Sequence, residues 1–91
     1  MKSKRTKQFH ALFAELPESV QQQANAAYKL FKANPSHPSL SFKQVNPHGP
    51  VYSARVGLHY RDRALAIRKP DEIIWFWIGS HAEYDKMLSR L

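Results

Sequence analysis

The sequence predicts an α+β domain: an N-terminal helical hairpin packed on an antiparallel four-stranded meander sheet, with a short helix at the C-terminus. Three observations support this. Apolar residues recur at helical spacing as far as Phe31, Pro- and Gly-bearing turns then divide the chain into strand-length runs from Leu40 onward, and a helix-capping signal follows at Ser80.

Phe9, Leu12, Phe13 and Leu16 form the apolar stripe of a first helix. Pro17 opens a second, because its missing N–H costs nothing in a first turn, and Glu18 places a carboxylate at the positive end of that helix dipole. Leu16, Val20, Ala24, Ala27 and Phe31 line one face, with Gln21, Gln22, Asn25, Lys29 and Lys32 mostly off it, and Asn34–Pro35 ends the helix. Leu40 to Val45 reads as a short first strand, followed by the turn formers from Asn46 to Pro50. Val51 to Val56 is the second strand, Gly57 a turn, and Tyr60 to Arg68 the third. Glu72 to Ile78 is apolar on both faces and suits a central strand; simple alternation puts Trp75 and Trp77 on one face of it as core residues. Ser80 caps the final helix through Leu91, with Glu83 completing a capping box.

The chain has 91 residues, one domain's worth, and a formal charge of +7 that is unevenly spread. Residues 1–7 hold Lys2, Lys4, Arg5 and Lys7 without an acid and read as a basic tail that need not be ordered, ahead of a single domain over residues 8–91. Residues 8–42 are neutral, residues 43–69 carry Lys43, Arg55, Arg61, Arg63, Arg68 and Lys69 against Asp62 alone, and the C-terminal segment is acidic. Clustered cations favour a polyanionic partner through counterion release, although an acidic protein would feel the same field.

Several chemistries are excluded. The chain has no cysteine, so disulfides, thiolate metal sites and cysteine nucleophiles are absent, in keeping with a reducing cytoplasm. Its most apolar uncharged stretch, Ile73 to Ala82, is about half of what a bilayer crossing needs, and no signal peptide is recognisable. No histidine pair has metal-ligand spacing, no carboxylate pair suits glycosidase chemistry, and the three isolated glycines make no phosphate-cradling loop. Neither metal nor cofactor is expected.

What remains is the group Arg55, His59, Arg61, Arg63, His81 and Tyr84. If the second and third strands pair through the Gly57 turn and the fourth lies beside the third, Arg55, Arg61 and His81 converge at one rim of the sheet. Alternation places Arg61, Arg63, Leu65 and Ile67 on one face, partly beneath the last helix, and Ala64 and Ala66 on the face covered by the hairpin. Guanidinium groups beside an imidazole and a phenol suit phosphodiester cleavage: arginine holds the phosphate and stabilises transition-state charge, and histidine moves a proton. Lys43, Arg63, His59 and Tyr52 are candidates for further substrate contacts. The plainer alternative is a solvated, salt-bridged surface with Tyr84 as a packing residue.

Several ordered strings resemble the RelE/ParE toxin superfamily of bacterial toxin–antitoxin pairs. They are Phe9 through Leu16-Pro17-Glu18, Asn34-Pro35 with His37-Pro38, Tyr52-Ser53-Ala54-Arg55-Val56-Gly57, Tyr60-Arg61, and Trp77-Ile78-Gly79-Ser80-His81-Ala82-Glu83-Tyr84. The resemblance covers nearly all of the chain after the tail. It implies a compact sheet with two N-terminal helices and, for RelE-like members, cleavage of messenger RNA in the ribosomal A site; ParE-like members poison DNA gyrase instead. On that resemblance Arg55 and Arg61 hold phosphate, His81 transfers a proton, Tyr84 is the C-terminal aromatic, and Lys43 replaces a basic residue of the first strand. It implies a cytoplasmic toxin whose partners are a cognate antitoxin, the ribosome and mRNA, with no membrane, and leaves room for an oligomer with the antitoxin. Two departures stand out: Ser53 occupies a position where some RelE-like enzymes carry lysine, and the family's N-terminal strand is not evident in Lys2 to Lys7. The competing functions are a gyrase poison, an inactive relative, and a plain single-strand nucleic-acid binder using Tyr52, Tyr60 and the arginines.

Overall fold

In the computed structural model, which describes residues 2–45, 49–56 and 62–90, the expected hairpin, meander and terminal helix are all present. The elements are β1 (Lys2–Arg5), α1 (Lys7–Ala14), α2 (Glu18–Ala33), β2 (Lys43–Gln44), β3 (Val51–Val56), β4 (Asp62–Lys69), β5 (Glu72–Ser80) and α3 (His81–Ser89). The sheet has the order β1-β5-β4-β3-β2; every pairing is antiparallel except β1 with β5.

The fifth strand is the main correction to the fourfold meander. Lys2–Arg5, read from sequence within a basic tail, pairs in parallel with Glu72–Trp75. Backbone bonds from Lys2 N–H to the Asp71 carbonyl (2.9 Å) and from Thr6 N–H to the Trp75 carbonyl (3.0 Å) hold its two ends. A lysine-rich strand is well suited to an edge, where charge discourages further pairing. At the other edge, the predicted Leu40–Val45 strand contracts to two residues. Pro38–Leu40 is a 3-10 turn, and Ser41 adopts the left-handed φ of 45° that interrupts an extended chain, so Leu40 drops into the core. The third predicted strand begins at Asp62; Tyr60, Arg61, the Gly57 turn and residues 46–48 of the proline-rich turn lie outside the described residues.

The hairpin is closed by side chains as well as by its apolar stripe. Thr6 accepts from the Phe9 N–H (3.1 Å) to cap α1. The Gln21 amide nitrogen lies within 3.3 Å of the carbonyls of Phe13, Ala14 and Leu16, covering acceptors that the end of α1 leaves open. Phe9, Ala24 and Phe31 then pack with Leu40 on Ala54, Val56, Ala64, Ala66, Ile73, Trp75 and Ile78. The alanines of β4 lie under the hairpin, as alternation predicts, because small side chains let the helices approach the sheet.

Trp75 and Trp77 do not share a face. Leu65 is in register with Trp77 and Ala66 with Trp75, so Phe76 is an extra residue in β5. This bulge leaves Trp75 in the hairpin core and turns Trp77 to the opposite face, where it joins Val51, Leu65 and Tyr84. α3 sits there, capped by Ser80, whose Oγ accepts from the Glu83 N–H (3.3 Å) and lies 3.4 Å from its carboxylate. Gly79 makes the Trp77 position sterically available: a Cβ on it would lie 2.7 and 2.8 Å from two indole carbons. Gly79→Ala is therefore expected to displace Trp77, loosen α3 and lower stability by about 1–3 kcal/mol, measurable as a shift in the urea midpoint.

Candidate functional site

The α3-side face of the sheet carries the candidate residues in rows set by strand register. Directly paired residues of antiparallel strands share a face. Arg55 is paired with Arg63, and Arg63 with Gly79; the neighbouring row runs Lys43, Ser53, Leu65, Trp77. His81 follows β5 directly as the first residue of α3. The fold thus brings Arg55, Arg63, His81 and Tyr84 to one end of this face, with Lys43 at the β2 edge. Tyr52 lies on the hairpin face, stacked on Phe42 with ring centroids 5.0 Å apart and beneath Arg68. Arg61 and His59 lie outside the described residues.

Tyr84 is the centre of the arrangement. It is 6% exposed and leans on Trp77 at 6.4 Å between ring centroids. The His81 ring stacks on it at 6.0 Å with an interplanar angle of 24°, and the Arg63 guanidinium carbon lies 5.3 Å from its centroid. The first turn of α3 and strand β4 therefore hold an imidazole and a guanidinium against the same phenol ring. His81 remains open to solvent, and its Nε2 lies 3.7 Å from an Asp85 carboxylate oxygen, an ion pair only when the imidazole is protonated. The i, i+4 spacing that brings Asp85 to His81 is visible in the sequence.

Arg55 Nε is shielded from solvent, and Arg63 goes further. Its Nε and Nη1 are shielded from solvent and have no hydrogen-bond partner among the described residues. Its cross-strand neighbour Arg55 carries the same charge. Ser53 is fully buried with its Oγ also unpartnered, so the strand offers no cation there, and Lys43 beside it is the exposed charge of that row. The arrangement is suited to drawing a phosphate oxygen toward two guanidiniums with an imidazole at the rim. A cavity of about 40 Å³ on the opposite side, lined by Phe9, Phe31, Ala54 and Trp75, belongs to the hairpin core. Among the described residues, no helix is long and apolar enough to cross a membrane.

Residues 18–86 match the family model of the ParE-like toxin domain, a span that includes Lys43, Arg55, Arg63, His81 and Tyr84. No curated protein sequence matches the chain. Among solved structures, the fold is similar to one from the RelB–RelE antitoxin–toxin complex of Methanococcus jannaschii, with 15% identity, coverage of 91% of this chain and 95% of that one, and a TM-score of 0.72. It is similar to one from the archaeal RelE–RelB complex of Pyrococcus horikoshii, at 17% identity, coverage of 87% and 92%, and a TM-score of 0.66. It is also similar to one from the toxin–antitoxin complex RelBE2 of Mycobacterium tuberculosis, at 17% identity, coverage of 89% and 91%, and a TM-score of 0.59. At these identities the likeness concerns the fold.

Proposed function

Because the chain belongs to the ParE-like toxin domain family, we propose that it is the toxin of a toxin–antitoxin pair and acts as a ribosome-dependent endonuclease of messenger RNA. The observation carrying this reading is the juxtaposition of Arg55, Arg63, Tyr84 and the exposed His81 on one face of the sheet. In the reaction, the ribose 2′-oxygen attacks the adjacent phosphorus and the bond to the 5′-oxygen breaks, leaving a 2′,3′-cyclic phosphate and a 5′-hydroxyl. The 2′-oxygen loses a proton and the 5′-oxygen gains one; His81 handles one of these transfers. Arg55, Arg63 and Arg61 hold the phosphate and offset charge growing on its oxygens. Tyr84, buried as it is, acts as a positioning residue for His81 and Arg63. The substrate supplies its own nucleophile, so the scheme requires no metal.

The partners follow from the same reading. An antitoxin would lay an acidic or amphipathic segment on the basic face or displace α3, and the pair could assemble further. The ribosome would present the message, and the site of action would be the cytoplasm. The test is inducible expression followed by primer extension on a translated message. Cuts within the translated region, with naked RNA left intact, are expected. DNA cleavage complexes with uncut message would instead assign the chain to gyrase poisoning.

A further inference from the structure

We propose that β1 and the C-terminal half of α2 form a second nucleic-acid surface, one that grips the phosphate backbone of an RNA duplex on the side of the molecule away from His81. The choice of RNA rests on the function proposed above; the phosphate site rests on geometry alone. Arg5 is in register with Trp75, which faces the hairpin, and its guanidinium carbon lies 4.8 Å from the Tyr28 ring centroid. Lys32 Nζ lies 5.2 Å from the same centroid, so the two charges are within about 10 Å of each other. The Tyr28 hydroxyl is 2.8 Å from Ser3 Oγ, which ties helix to strand and fixes the ring that both cations share. Lys29 is exposed on α2 immediately after Tyr28, and Lys2 and Lys7 are exposed at the two ends of the β1 segment. Lys4 pairs with Glu72 at 3.3 Å; Arg5, Lys29 and Lys32 pair with no carboxylate among the described residues.

Cations gathered without acids repel one another, and a polyanion relieves that repulsion while releasing counterions. The occupant is a backbone rather than unstacked bases. Tyr28 is half-buried, two cations lie over its ring and its hydroxyl is engaged, so it offers little free aromatic surface for stacking. Contacts of this kind are sequence-independent and fit the phosphates of a regular duplex.

The experiment measures binding of a short blunt-ended RNA duplex by fluorescence anisotropy across a salt series, with the full-length chain carrying His81→Ala so that cleavage does not interfere. The combined substitution Arg5→Gln, Lys29→Gln and Lys32→Gln should weaken binding at least about tenfold and reduce the log–log salt slope by about 2–3. Lys69→Gln, Lys86→Gln and Arg90→Gln together remove the same charge elsewhere and should leave the slope within about one unit of the parent. Lys29→Gln with Lys32→Gln, on exposed helix positions that spare β1, should reproduce most of the loss. Equal losses in the two triple variants would overturn the proposal in favour of net charge. Tighter binding of a DNA duplex, or complete competition by polyglutamate at matched charge, would overturn it in favour of a different partner. Duplex binding that survives while a translated message stays uncut by the chain with His81 intact would refute the nuclease reading and leave this surface standing.

Discussion

His81→Ala is expected to abolish growth inhibition and to reduce message cleavage by about 10²–10⁴, the range associated with loss of a general acid or base. The side chain is 54% exposed and sits at the first position of α3, after the Ser80 cap that holds the helix start. Its removal costs a solvent-facing stack on Tyr84 and leaves the Trp77–Tyr84 packing in place, so the thermal midpoint should correspond to a change within about 0.5 kcal/mol of the parent. The measurement is paired: growth and primer extension after induction, and thermal unfolding of the purified variant. A variant that unfolds like the parent and remains as toxic removes His81 from the reaction. A variant that loses both toxicity and several kilocalories of stability would make the imidazole a packing group instead.

The sequence was informative wherever local chemistry decides structure. The Ser80–Glu83 capping box, the Pro17 helix start and the alanines of β4 beneath the hairpin follow from short-range spacing, and each is present. β1 escaped the same reasoning because Lys-Ser-Lys-Arg contains no apolar alternation; it is held by backbone bonds to β5, a partner some seventy residues away. Simple alternation puts Trp75 and Trp77 on one face, but the bulge at Phe76 inverts the two-residue period partway along β5, and it is the later half that seats α3. In the candidate site, Arg55 and Arg63 could be put on one face from alternation and the order of strands. The Tyr84 contact that joins Arg63 to His81 depends on that inversion and on the seating of α3. In the Arg5–Tyr28–Lys32 cluster the i, i+4 spacing of Tyr28 and Lys32 is local, but Arg5 joins them only through β1.

Arg63→Leu is expected to separate stability from activity in opposite directions. In the folded chain, two guanidinium nitrogens of Arg63 are withheld from water without a hydrogen bond among the described residues. The desolvation opposes folding. What favours the native position is the contact with Tyr84, much of which an aliphatic side chain can keep. Leucine removes the desolvation penalty, so stability should be equal to the parent or higher by about 1 kcal/mol, a gain typical of relieving a strained functional position. Cleavage should fall by about 10², as when one preorganised donor to a developing oxyanion is lost. Arg63→Lys provides the complementary reading: it keeps the charge but loses the planar fork, and should recover only part of the activity. If Arg63→Leu instead lost stability and cut translated message normally, the buried guanidinium would be a structural anchor for Tyr84 and the phosphate would be held by other cations.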